Sequence, residues 1–198
     1  MENWELVARK TAAIDPMFSK LESEYPGTVD AAIQNARPAA LEFTGDFVRK
    51  AKALKAEILA TDLTAADMQQ LIAFFETPLG RRLAARFQDR DNSPDLTDKM
   101  ADKIANGDSG GITAADLNAA IKKRSTVVLK EMSADELLAV AKFEREPSTK
   151  KFGMAGAKAD AAILEMINHP DAKLVAKIGD AATDGAVKFV EAKKSARK

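Results

Sequence analysis

The chain has 198 residues, enough to bury a sizeable core in one large domain or two small ones. Thirty basic and thirty acidic residues cancel, so no net field attracts nucleic acid or an anionic membrane surface. The absence of cysteine excludes disulfides, thiolate catalysis and cysteine-ligated metals. No window approaches the roughly 20 apolar residues that span a bilayer. The charges in MENWELVARK leave no visible signal peptide.

Helix boundary signals begin at Asp15-Pro16, an N-cap residue followed by a proline suited to the first helical position. The segment Tyr25-Pro26-Gly27 is predicted to end that helix. Thr28 is then predicted to cap the next one. A further long helix is expected from about Pro38 to Ala60, because apolar residues recur there at helical spacing.

Three capping boxes of the form Ser/Thr-x-x-Asp/Glu predict further helix starts. They pair Thr64 with Asp67, Thr113 with Asp116, and Ser133 with Glu136. The residues 106–111, Asn-Gly-Asp-Ser-Gly-Gly, are the best candidate linker. No segment alternates with the two-residue period of a strand. The sequence therefore predicts an all-α fold, a helical bundle of about ten helices in a single domain over residues 1–198.

Two stretches of the chain align without a gap at a separation of 69 residues. They are LTAADMQQLIAFFETPLGRRL over 63–83 and MSADELLAVAKFEREPSTKKF over 132–152. Both carry a cap, an apolar stripe, an aromatic residue, a proline and a basic pair. Extended to 43–88 and 112–157, they predict two related halves that pack around a pseudo-two-fold axis.

Each stretch predicts a helix, a sharp corner and a second helix. The first helix starts after Thr64 and cannot continue through Pro78, which lacks an N–H and clashes with the preceding turn. Thr77 then caps a new helix. Gly80 lies in its first turn, where the absence of a side chain would let the preceding helix pack closely.

The first stretch resembles a bacterial family known as domain of unknown function 2059. The matching elements are an aromatic pair, a hydroxyl residue, proline, glycine and two basic residues, here Phe74, Phe75, Thr77, Pro78, Gly80, Arg81 and Arg82. The second stretch departs from this pattern at Glu144, Glu146 and Thr149. The resemblance implies an all-helical bacterial protein that is usually exported to the periplasm, with no known reaction. Without export the chain would be cytoplasmic.

Signals for catalysis or metal binding are weak. His169 is the single histidine, and we expect it at a helix junction, because general-base catalysis needs a positioned partner. Residues 105–116 place Gly110, Ile112 and Asp116 as an EF-hand loop would, but the leading carboxylates are missing. A linker followed by a capping box explains the same residues. The acidic residues of 89–95 fit a polar turn. We therefore expect no catalytic residue, no metal and no cofactor.

The remaining candidates concern binding. The basic pairs Arg81-Arg82 and Lys150-Lys151 could hold an anion, although a solvated face is favoured, as it is for the basic end of 193–198. An apolar set could line a cavity between helices, although an ordinary core is favoured; it comprises Phe74, Phe75, Leu79, Leu83 and Phe87. The candidate site for a ligand or partner comprises Phe74, Phe75, Thr77, Pro78, Leu79, Gly80, Arg81 and Arg82.

The function that this sequence favours is non-enzymatic binding of an unknown protein partner. One alternative is a carrier of an apolar, lipid-like small molecule in a cavity between helices. A second alternative is a hydrolase whose two carboxylates come from distant helices. Homodimerisation is compatible with all three, since an alanine-rich chain can pack closely against another copy.

Overall fold

A computed structural model describes residues 2–88, 98–99, 102–103 and 111–196. Over these ranges the regular structure is entirely helical, which confirms the all-α fold class. Nine helices lie in this part of the chain: α1 (Glu2–Ile14), α2 (Pro16–Glu24), α3 (Thr28–Asp62), α4 (Ala65–Phe75), α5 (Pro78–Gln88), α6 (Ala114–Lys130), α7 (Ala134–Arg145), α8 (Pro147–Asn168) and α9 (Ala172–Ala196). None of the helices described is both long enough and apolar enough to cross a membrane.

Local capping signals determine where most of these helices begin. The Asp15 carboxylate accepts hydrogen bonds from the backbone N–H groups of Met17 and Phe18, with Pro16 at the first position of α2. All three predicted capping boxes form, at the starts of α4, α6 and α7. In each box the side chains satisfy backbone donors that a helix start otherwise leaves unpaired. These predictions from sequence are confirmed.

Helix α3 differs from its prediction because it runs through Pro38 without ending. An interior proline removes one backbone hydrogen bond and disfavours helix by about 3 kcal/mol. The helix is nevertheless continuous for 35 residues, because the turns around the proline are buried. Ala36, Ala39 and Ala40 are 2%, 6% and 2% exposed, so tertiary packing outweighs the local preference. The predicted start at Pro38 is therefore wrong.

Glu22, rather than Thr28, supplies the acceptors at the start of α3. The two Glu22 carboxylate oxygens accept hydrogen bonds from the backbone N–H groups of Gly27 and Val29, at 2.9 and 2.8 Å. The hydroxyl of Thr28 instead donates to the carbonyl of Tyr25, at 2.6 Å. The predicted capping role of Thr28 is wrong, because its hydroxyl faces the end of α2.

The chain divides into two compact units. The first comprises Met1–Arg49, Pro94–Ile112 and Met166–Lys198, and the second comprises Lys50–Ser93 and Thr113–Glu165. Both aligned stretches, 63–83 and 132–152, belong to the second unit. The arrangement of the whole chain as one domain with related halves over 43–88 and 112–157 stays a prediction. Most of the predicted linker, residues 106–110, lies outside the described residues.

In the first unit, α3 and α9 approach each other closely. A Cβ added to Gly185 of α9 would lie 2.8 Å from the carbonyl oxygen of Ala31 and 3.3 Å from the Cα of Ala32. The Asn35 amide donates to the carbonyl of Ala181, at 2.7 Å. Small side chains are therefore needed here, since they let the two helix backbones meet.

In the second unit, the centre of the core lies between α3 and α8. Ile58 of α3 packs with Ala155 and Ala159 of α8, and both alanines are fully buried. Three further apolar side chains surround this cluster and are partly buried: Leu54, Leu59 and Ala162. This core supports the surface on which the candidate site lies.

Candidate binding groove

The proline corner between α4 and α5 is held by Thr77 and Gly80. The Thr77 hydroxyl donates to the carbonyl of Phe74, at 2.7 Å, and accepts from the backbone N–H of Gly80, at 3.0 Å. A Cβ on Gly80 would overlap the carbonyl oxygen of Phe74 and lie 2.6 Å from the Cα of Phe75. Real Cβ atoms do not come so close to backbone. The close approach that the sequence predicted at Gly80 is confirmed.

The two phenylalanines of this corner have different environments. The ring of Phe74 stacks on that of Phe143, with centroids 3.6 Å apart and planes 7° apart. Phe75 contacts Phe143 and Phe152 edge to face, at centroid distances of 6.0 and 6.3 Å. Phe74 therefore belongs to the contact between α4 and α7. Phe75 connects that contact to the start of α8.

An apolar groove of about 300 Å³ lies beside Phe75. Its wall combines residues from the end of α3, from α4 and from α8: Leu59, Met68, Leu71, Ile72, Phe75, Glu76 and Phe152. Leu71 at its base is 4% exposed, whereas Ile72 and Met68 are 50% and 36% exposed. The groove is therefore open to solvent along α4.

Most of the candidate site residues predicted from the sequence lie beside the groove and do not line it. Phe75 lines it, and Phe74, Thr77 and Gly80 build the adjacent corner. The other selected residues lie on α5, where Leu79 is half-buried and three are exposed: Pro78, Arg81 and Arg82. Leu79 and Leu83 do not line the groove. The side chain of Phe87 lies outside the described part of the structure.

Six of the seven residues that line the groove were not among the candidate site residues predicted from the sequence. Met68, Leu71 and Ile72 carried a signal, because they form the apolar face of α4 at spacings of three and four. The local sequence offered no signal for Leu59 and Phe152, which approach α4 from elsewhere in the chain. Glu76 was not predicted as a site residue, because it stands inside the motif between the aromatic pair and the proline but is not one of the motif's residues.

Two ion pairs connect the aligned stretches reciprocally. Lys151 of the second stretch donates to Asp67 of the first, at 2.8 Å, and Arg82 of the first pairs with Glu136 of the second. Asp67 aligns with Glu136, and Arg82 aligns with Lys151, each at the separation of 69 residues. Phe74 and Phe143, which stack, are also aligned positions. A contact between two surfaces in which each partner repeats the other's role is isologous.

These ion pairs and caps lower the pKa values of the two carboxylates. The hydrogen bonds from Lys151 and from the side chain and backbone of Thr64 hold the pKa of Asp67 at about 2, against an ordinary 3.8. The backbone N–H of Ser133, together with Arg82, lowers the pKa of Glu136. Both carboxylates therefore stay ionised at neutral pH, in fixed structural roles.

The other polar candidates are placed away from the groove. His169 is exposed in the connection between α8 and α9. In the loop that resembled an EF-hand, Lys103 donates to the carbonyl of Gly111, at 2.5 Å, and Asp116 caps α6. Residues 104–110 and the acidic cluster of 89–95 lie outside the described residues. No group of three His, Asp or Glu side chains forms a candidate metal site in the described ranges.

No curated protein and no solved structure matches this chain significantly. A protein-family comparison does give a match, over residues 49–106. That segment includes the end of α3, all of α4 and α5, and six of the seven residues that line the groove. Over these 58 residues the chain is similar to the family described as an uncharacterized protein conserved in bacteria (DUF2059).

Proposed function

We propose that this protein acts without catalysing a reaction, by binding a partner protein in the apolar groove along α4. The observation that carries the proposal is the exposure of Ile72 and Met68 within a concave apolar surface. Single exposed apolar side chains are ordinary on protein surfaces. A group of them around a groove, beside the corner that the family match covers, favours a docking role.

The openness of the groove favours a protein partner over a carried small molecule. Carrier sites bury most of the ligand surface, in cavities of roughly 300–1,000 Å³. This groove has a volume at the lower end of that range, about 300 Å³, and one wall of it, at Ile72, is half exposed. A partner that covers the groove from outside would bury Ile72 and Met68, whereas a single acyl chain would leave them partly in water.

A carboxylate-based hydrolase has less support. Glu76 is the one carboxylate among the described residues that line the groove, whereas hydrolysis by two carboxylates needs a converging pair. Asp67 lies in the first turn of α4, at the opposite end of the helix from Glu76, and Lys151 and Thr64 use its oxygens. The groove therefore supplies apolar contact and one negative charge, which suits recognition.

We also propose that the two aligned stretches are internal copies that pack around a pseudo-two-fold axis. The reciprocal pairs Asp67–Lys151 and Glu136–Arg82 support this arrangement, as does the stacking of Phe74 on Phe143. Because the family resemblance implies export, the proposed compartment is the periplasm. Fractionation of cells that express the full-length native gene would test the compartment.

Fluorescence titration of single-cysteine variants tests the binding proposal. The chain contains no cysteine, so Ala73→Cys on the exposed face of α4 can carry an environment-sensitive dye. The probes are an 18-residue leucine/lysine peptide of helical period, the same residues in scrambled order, and decanoate. The helical peptide is expected to bind, and the scrambled peptide and decanoate are not.

Two aspartate variants locate the binding. Ile72→Asp is expected to weaken peptide binding by at least about tenfold, because it places an unpaired charge among apolar atoms. Leu138→Asp is the matched control, since Leu138 is an exposed apolar residue of α7 outside the groove, 56% exposed. Equal effects of the two substitutions would refute the proposal, as would scrambled-peptide binding of equal strength. Decanoate binding that Ile72→Asp abolishes would favour the carrier.

A further inference from the structure

The groove carries a single negative charge at one end. Glu76 follows the last residue of α4 and is exposed, and the other six lining residues are apolar. Helix α4 has no basic residue in its last turn. An occupant of the groove therefore meets hydrocarbon over most of its length and a carboxylate at the end.

Three basic side chains of α5 and α8 are occupied by other partners. Lys151 donates to Asp67 and Arg82 pairs with Glu136, while Arg86 lies 3.3 Å from the carboxylate of Glu131. These ion pairs hold their cations at the contacts between helices. Glu76 lines the groove, and its carboxylate takes no part in these three ion pairs.

The length of the groove matches two turns of a helix. Its α4 wall extends from Met68 to Glu76, eight residue steps, which is roughly 12 Å at 1.5 Å per residue. A partner helix lying alongside would place residues at i, i+3 or i+4, and i+7 against that wall. Met68 adds an adaptable side chain, which suits a surface that binds helices.

The combination of apolar wall and terminal carboxylate occurs in only one of the aligned stretches. The positions that align with Ile72, Phe75 and Glu76 carry a smaller residue, an acid and a base: Ala141, Glu144 and Arg145. A partner selected by an apolar stripe and a cation would therefore find one site rather than two in the described residues. The paired positions Asp67/Glu136 and Phe74/Phe143 keep their chemistry, whereas the groove positions Ile72 and Glu76 do not.

We infer that the partner presents a basic amphipathic helix, whose apolar stripe enters the groove and whose lysine or arginine lies beside Glu76. This inference rests on the proposed function and adds the chemistry of the partner. The formal net charge of the chain is zero, so a preference for a cationic helix has to arise locally. A fatty-acid carboxylate at this end would instead be repelled by Glu76.

A charge exchange tests the inference. Two 18-residue helical peptides share one leucine stripe and carry either lysines or glutamates at the polar positions. At low salt the unmodified protein is expected to bind the lysine peptide about two- to fivefold more tightly, which is the range for an exposed ion pair. Glu76→Lys should reverse that preference and Glu76→Gln should remove it.

Glu144→Lys serves as the matched control, because it makes the same change of charge at an exposed position of α7 outside the groove. Its preference should stay within about twofold of the unmodified protein. Equal binding of both peptides, with both lost in Ile72→Asp, would overturn the cationic partner and leave the proposed function standing. Binding of neither peptide would overturn both. An equal shift from Glu144→Lys and Glu76→Lys would refute a local role for Glu76.

Discussion

Replacing Gly80 by alanine gives the most direct test of the corner that shapes the groove. In a helix interior this substitution ordinarily stabilises by about 1 kcal/mol, because glycine is the poorer helix former. Here the added Cβ would overlap the carbonyl oxygen of Phe74 and lie 2.6 Å from the Cα of Phe75. Backbone atoms cannot move aside as a flexible side chain can, so α4 and α5 would have to separate. Overpacking of this kind lowers the free energy of unfolding by about 1–3 kcal/mol.

Gly153→Ala provides the matched control within the same unit. Gly153 lies inside α8, and a Cβ there would have no heavy atom within 4 Å apart from its own neighbours in the helix. This variant should therefore be as stable as the unmodified protein, or up to about 1 kcal/mol more stable. Urea unfolding followed by circular dichroism at 222 nm measures both variants, and the difference between their free energies of unfolding is the informative quantity.

The same two variants test whether the proline corner affects peptide binding in the groove. If the corner positions Phe75 in the groove, Gly80→Ala should also weaken binding of the leucine/lysine helical peptide, at temperatures where the variant is folded. Gly153→Ala should leave that affinity unchanged. A Gly80→Ala protein that is as stable as Gly153→Ala would refute the close approach of α4 and α5. A destabilised variant with unchanged affinity would separate the corner from the groove.

Three further predictions concern the contacts around this unit and the start of α3. A double-mutant cycle by urea unfolding measures the coupling between Phe74 and Phe143. Because their rings stack, the effects of Phe74→Ala and Phe143→Ala on the free energy of unfolding should be less than additive, by about 0.5–1.5 kcal/mol. Additive effects would contradict the stacking. Because the folded-state pKa of Asp67, about 2, lies below its ordinary 3.8, its stabilisation is complete above about pH 4 and is lost as pH falls towards 2. Asp67→Asn should therefore flatten the fall in urea midpoint across that window, and an unchanged slope would argue against the ion pair with Lys151. Glu22→Ala should lower the free energy of unfolding by about 0.5–2 kcal/mol, as loss of a helix cap does, and a neutral effect would refute the capping of α3 by Glu22.

Much of the fold could be predicted from the sequence because its signals are local. Asp15 and the three capping boxes act within three residues of the helix that they start. Thr77 and Gly80 likewise act across a single corner. In each case the residue type and the backbone group that it satisfies are close together in the chain, so the pattern alone indicates the structure.

The predictions that were wrong depended on burial or on contacts longer than a local sequence motif. Pro38 is accommodated inside α3 because the alanines around it are buried, and local propensity contains no information on burial. Glu22 reaches forward five and seven residues to Gly27 and Val29, beyond the span of a capping box. The groove could be predicted only in part for the same reason. Phe152 reaches it from a helix far along the chain, and spacing along α4 cannot show that.

The proposed relation between the two aligned stretches accounts for the position of the proposed binding site. Positions that form their mutual contact keep matched chemistry, as in Asp67 with Glu136 and Phe74 with Phe143, because each ion pair needs a partner in the other stretch. Positions that face solvent carry no such requirement. They differ at the exposed positions Ile72 and Glu76 of the first stretch, which align with Ala141 and Arg145 of the second. The proposed docking surface uses the exposed Ile72 and Glu76 of the first stretch, and neither residue belongs to the ion pairs or the phenylalanine stacking that join the two stretches.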